Sequence, residues 1–329
     1  MTRARSQLID LESTSYYHCI SRCVRRAFLW GEDHLTGKNY AHRKQWVIDR
    51  LAELESIYAI DICAYAIMSN HYHLVLRVDA DEADKWSDKV VIDRWSKLFN
   101  VPLLIKRYQL GKTSAAESDA AYQQIEQWRE RLKDISWFMR SLNEFLARKA
   151  NKEDNCKGRF WEGRFKSQAL LDEAAILTCM SYVDLNPVRA GIASAPETSD
   201  YTSIQQRIKQ WESHFKPSSS LKIPIKLAEL TTKLVSHEHE IPFALHDYFQ
   251  LVDWAGRAIR EDKRGYIPEN TPPILTRLNL DPQIYLQQLN SSKRKLSHPI
   301  ALGTENILRA FAKRHGRKFL RNATIPTFA

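Results

Sequence analysis

The chain has 329 residues, 43% hydrophobic and 27% charged, with a net charge of +10; that length supports a sizeable core and the composition excludes wholesale disorder. No apolar run is long enough to span a bilayer and the start, MTRARSQLIDLEST, lacks an apolar signal region, so a cytoplasmic protein with no membrane partner is expected. The five cysteines (Cys19, Cys23, Cys63, Cys156 and Cys179) form no CxxC pair and leave one over, which argues against a disulfide framework or a zinc ribbon.

In chain order, residues 15–23 (SYYHCISRC) read as a strand. Trp46, Ile48, Leu51, Leu54 and Ile57 then recur at helical spacing. Two further strand patterns, IDICAYAIM and HYHLVLRV, are separated only by Ser69-Asn70, a hairpin signal. The polar stretch from Asp79, with the amphipathic DKVVIDRWSKLF, reads as an insertion, so that 79–135 is partly inserted. From Tyr122 to about Ala150 the pattern is helical, through Ile125, Trp128, Leu132, Ile135, Phe138 and Leu142. CKGRFWEGRFKSQALL follows, then a helical segment ending at Asn186-Pro187, where proline restricts the preceding residue. The linker-like SAPETSDYTS and KPSSSLKIP place a boundary near residue 200, giving domains 1–200 and 201–329, the second mainly helical. From Ser291 to Ala329 there are nine Lys or Arg against one acid, Glu305, so most of the net charge lies there. Such a basic end, with Ile307, Leu308 and Phe311 on a helical pattern, suits a phosphate backbone or forms a solvated tail.

His71 and His73 are two apart on a strand, so they project from one face while Tyr72 points from the other. Paired imidazoles at a strand start make half of a metal site, or are surface or core histidines satisfied by their neighbours. A divalent ion here would polarise a phosphodiester oxygen.

YHCISRC, YAIMSNHYHLVLRV, GRFWEGRFKS and YVDLNPVRAG stand in the order and approximate spacing of the single-tyrosine HUH transposases. Over roughly residues 13–195 the chain resembles that family, and most closely its REP-associated tyrosine transposases. The resemblance implies an α+β fold: a ferredoxin-like antiparallel sheet bearing the histidines, with helices behind it. It also implies Mg²⁺ or Mn²⁺, and cleavage of single-stranded DNA near hairpins by a helix-borne tyrosine. At that tyrosine's position, however, this chain has Leu146, and no tyrosine occurs from Trp128 to Glu162. Tyr16, Tyr122 and Tyr182 are replacement candidates, each also readable as a packing aromatic; a metal-activated water with Glu144 or Asp154 as base is the other route. The family's third metal ligand, about one turn beyond the tyrosine, falls here on Asn151, which also reads as an ordinary residue at a helix end.

KGRFWEGRFK sets Lys157, Arg159, Arg164 and Lys166 among Phe160, Trp161 and Phe165, a mixture that neutralises phosphates and stacks unpaired bases, or an amphipathic segment whose rings fill a core. Arg189 in NPVRAG is a further phosphate contact, and Asn186 a contact or a structural cap. Two functions follow. One is a metal-dependent single-strand DNA nickase and transposase. The other is a catalytically inactive hairpin-binding protein with a regulatory or host role. A basic structural or RNA-associated protein with an incidental H-x-H is the third reading, and the sequence leaves monomer or homodimer open.

Overall fold

In the computed structural model, which describes residues 9–24, 37, 39–215, 225–230, 241, 243–257 and 301–316, alternation along three neighbouring strands builds a sheet with two unlike faces. Strand β1 (Tyr16–Arg22) leads through helix α1 (Arg43–Glu55) to β2 (Ile60–Ile67) and β3 (His71–Val78). The Met68 amide donates to the His71 carbonyl (2.9 Å), so Ser69-Asn70 is the expected two-residue turn. Helices α2 (Ala80–Lys85), α3 (Asp88–Ser96), α4 (Leu103–Gln109) and α5 (Ala115–Leu132) intervene before α6 (Ile135–Glu153) and β4 (Lys166–Leu170). Four strands of the sheet stand in the order β2-β3-β1-β4, each antiparallel to its neighbours among the four, the ferredoxin-like arrangement. The fold is α+β, as expected.

Tyr72, Leu74, Leu76 and Val78 of β3 and Tyr17 and Cys19 of β1 share one core with α1 and α6. In β2 the register shifts between Ile62 and Ala64, a bulge that changes parity. Ile60 and Ile62 before it, and Tyr65 and Ile67 after it, therefore point into that same core, while Ala64 and Ala66 point away. Each large apolar side chain buried there contributes roughly 1.5–3 kcal/mol.

The helical pattern of 122–150 is two helices rather than one. Ser114 and Glu117 form a capping box at the start of α5, and the Asp134 carboxylate accepts from the Trp137 amide (3.1 Å) to start α6. Trp95 of α3 stacks on Trp128 of α5 (centroids 5.1 Å apart), which fixes the intervening helices to the same core.

The opposite face is covered by α7 (Glu173–Asp184), followed by the short α8 (Asn186–Arg189). Beyond residue 200, α9 (Ser203–Phe215) and α10 (Leu245–Arg257) pack into this second core through Ile204, Tyr248, Leu251 and Val252. Strand β5 (Ala301–Leu302) adds to β4 in parallel. Helix α11 (Glu305–Arg314) buries Leu308 and Phe311, and Arg314 and His315 reach the Asp10 carboxylate (3.4 and 3.2 Å). The basic SSKRKLSH and residues 317–321 of KRHGRKFLR lie outside the described residues. Among the described residues no helix is long and apolar enough to cross a membrane.

Candidate functional site

Antiparallel pairing fixes which side chains meet on the α7 side of the sheet. Arg22 lies opposite His71; Ile20 lies between His73 and Lys166; His18 lies between Val75 and Gln168. His18 and His73 are therefore diagonal neighbours on one face. Both are buried, each 3% exposed, with the His18 Nε2 and His73 Nδ1 atoms 2.9 Å apart and the rings stacked at 5.2 Å. One ring donates this bond and the other accepts it. His71, half-buried at the start of β3, stands edge-on to His73 at 4.9 Å. Its Nδ1 is 2.6 Å from Asn70 Oδ1. An amide oxygen only accepts, so Nδ1 is the donor in this bond.

Tyr182, near the end of α7, presents its ring edge-on to His73 (5.6 Å) and His18 (6.1 Å). The Arg189 guanidinium lies 5.1 Å over the Tyr182 ring. Of the three replacement tyrosines, Tyr182 is the one whose ring meets the histidines. Tyr16 shares their face but lies opposite Arg77 at the far end of β1, where burial and then the Cys63 thiol push its phenol up to about 12. Tyr122 is 52% exposed on α5.

Leu146 lies in the core on the other face of the sheet and is 1% exposed. On that face the Tyr72 hydroxyl donates to Asn143 Oδ1 (2.7 Å), the Asn143 amide donates to Ser21 Oγ (3.0 Å), and Trp161 Nε1 donates to the Asn143 carbonyl (2.9 Å). Asn143 thus ties β1, β3 and the basic-aromatic loop together, and Tyr72 is a packing residue. Asn151 donates to the Gly158 carbonyl (3.1 Å) and accepts from Cys156, so neither hydrogen bond goes to a histidine. Glu144 pairs with Arg140 and Arg148, and Asp154 with Arg43. Among the described residues no group of three or more His, Cys, Asp or Glu is placed to hold a metal ion.

KGRFWEGRFK divides by chemistry. Phe160 and Phe165 are buried and Trp161 is half-buried, its ring edge-on to Tyr72 and Phe160. Lys157, Arg159, Arg164 and Lys166 are exposed. The rings anchor the loop and the cations project from it, with Trp161 packed against the core and its ring partly exposed. Asn186 opens α8 after Leu185, its backbone carbonyl accepting from the Ala190 amide (3.0 Å), and among the described residues no side-chain hydrogen bond caps the helix start.

The sequence does not connect His18 with the histidine pair, because the strand order and register that set it beside His73 depend on residues far along the chain.

No protein-family model matches the sequence, and no curated protein matches it. A solved structure of a REP-associated tyrosine transposase bound to a REP hairpin is similar at 12% identity, covering 73% of this chain and 97% of that chain, with a TM-score of 0.36.

Proposed function

We propose that this is a transposase-like DNA-binding protein of the HUH class, which takes single-stranded or hairpin DNA on the histidine face of its sheet. The observation that carries this reading is convergence. The four sequence blocks that resemble the family supply His18 (β1), His71 and His73 (β3), Lys166 (β4), and Tyr182 and Arg189 (α7 and α8), all on one side of one sheet. The exposed cations Lys157, Arg159 and Arg164 extend the positive charge and would position phosphates without reading sequence.

His71 and His73 would hold Mg²⁺ or Mn²⁺, with His71 Nε2 as the donor atom because Asn70 holds Nδ1. Two imidazoles without a carboxylate suit Mn²⁺ better than the harder Mg²⁺, and leave phosphate oxygens to complete the shell. The bound ion would neutralise charge on a phosphodiester. His18 sets the ring orientation of His73, and Arg189 holds Tyr182 against the pair.

The inactive, hairpin-binding form of the reading is preferred because the α6 position that carries the family's nucleophile is an apolar core residue facing away from the histidines. A cleaving form is favoured by one contact, that of the Tyr182 ring with His73. Incubation with labelled single-stranded hairpin DNA and Mn²⁺ separates them. Expected is a shifted complex of intact DNA, weakened by Arg189→Ala with Lys166→Ala. A protein-linked 5′ end lost on Tyr182→Phe would establish cleavage, and binding confined to double-stranded RNA would overturn both forms.

A further inference from the structure

The histidine face leaves the helical side of the molecule unused. There α1, the segment after α3, and α6 enclose a groove of about 400 Å³ lined by Arg50, Arg140, Arg148, Lys149 and Lys152, with Glu144 the one acid in the lining. Phe99 and Phe145 form part of its wall. The Arg50 guanidinium lies 4.7 Å over the Phe145 ring, and the Lys149 ammonium lies 5.5 Å over that ring and 4.4 Å over Trp46. Arg140 lies 5.1 Å over Trp137. Glu144 binds Arg140 (2.8 Å) and Arg148 (3.3 Å), so one carboxylate serves two of five cations. The buried Nε of Arg50 has no hydrogen-bond partner among the described residues, although its terminal nitrogens reach Glu53 and the Ser141 carbonyl.

We propose that this groove is a second nucleic-acid site, which takes a single-stranded polynucleotide segment separately from the histidine face. Five cations and one acid line the groove, and Glu53 beside it pairs with Arg50, so the net charge stays positive and sets the sign of the ligand. Rings interleaved with cations select flat bases over the carboxylates of an acidic peptide, and a groove at the lower end of the roughly 300–1,000 Å³ range admits a base but no duplex. Arg140, Arg148, Lys149 and Lys152 are exposed, so the phosphate-binding edge is open to solvent. This site extends beyond the proposed function and stands without it.

The test uses the full chain and oligo(dT) of about 20 nucleotides, which forms no hairpin and covers a site of roughly 4–16 nucleotides. Fluorescence anisotropy is measured across a salt series for the wild type and for Arg148→Glu with Lys152→Glu, and circular dichroism checks that these surface changes leave the fold intact. The double variant is expected to bind oligo(dT) about tenfold more weakly, with a log–log salt slope flatter by about 1.4, two single-strand phosphate contacts at about 0.7 each. Its affinity for a blunt hairpin is expected to stay unchanged. Oligo(dT) bound as tightly as by the wild type, or oligo-glutamate binding lost while oligo(dT) binding persists, overturns the proposal. Arg189→Ala with Lys166→Ala probes the other face: failure to weaken hairpin binding there counts against the histidine-face reading alone.

Discussion

The two faces of the sheet are built from the same strands by opposite rules. Toward α1 and α6 the strands present Tyr17, Tyr72, Leu74, Leu76 and Val78, and the polar Tyr72 hydroxyl is satisfied by Asn143. Toward α7 they bury His18, His73, Arg77 and Gln168 beside the smaller apolar set Ala64, Ala66, Val75 and Leu170. Burying polar groups contributes little net stability even when they are hydrogen-bonded, and costs much when they are not. A sheet selected for stability alone would repeat the first face on the second. An apolar core on the Tyr72 face stands against a mixed polar and apolar one on the histidine face, where the proposed function puts recognition, and substitutions on the two should have opposite signatures.

Tyr72→Ala should have the largest effect, about 3–5 kcal/mol lost in urea denaturation, because a fully buried ring leaves a cavity and unpairs Asn143. His73→Ala should lose about 1–2 kcal/mol while removing Mn²⁺-dependent effects on DNA binding. Equal losses of stability would break the comparison.

Asp184, on α7, sharpens it by pH. Its carboxylate is fully buried and accepts from the Ile204 amide (2.9 Å), Ser203 and Tyr248, yet burial pushes its pKa up to about 6. Because the folded state holds this proton more tightly than the unfolded chain, its contribution is most favourable below about pH 4. It is lost as pH rises to about 6, a change on the order of 3 kcal/mol from a shift of about two units. Asp184→Asn should flatten the stability profile between about pH 4 and 6, measured as ΔG of unfolding at successive pH values. An unchanged slope would show that another group titrates there.

Leu146→Tyr places a tyrosine in a fully packed core position on the Tyr72 face. It should cost about 1–3 kcal/mol through overpacking and yield no protein–DNA adduct, since the position faces away from the histidines. An adduct by mass spectrometry would show that α6 reaches the other face.

How far the sequence could be read follows the range of the interaction concerned. The β1–α1–β2–β3 order, the Ser69-Asn70 turn and the opposed directions of Tyr72 and His71/His73 come from local alternation, and all are in the structure. The break at Asp134 was legible as an N-cap, but the continuous run of apolar spacing masked it. The bulge in β2 and the β1–β3 register depend on partners far along the chain, so His18 was not connected to the histidine pair. The segregation of KGRFWEGRFK into anchored rings and projecting cations likewise depends on Asn143, a residue with no motif of its own to mark it.

The smallest effect should come from Lys166→Ala. Lys166 is exposed, and its backbone pairs with Ile20, which also pairs with His73, so its side chain belongs to the histidine face without supporting the core. Stability should stay within about 0.5 kcal/mol of wild type. A single phosphate contact in a duplex stem corresponds to a salt slope of about 0.9, so hairpin binding should weaken a few-fold with the slope reduced by about that amount. Because phosphate contacts position rather than specify, the loss should be uniform across hairpin sequences. A sequence-dependent loss would instead place a base edge at Lys166 and make β4, rather than the loop before it, the reading strand.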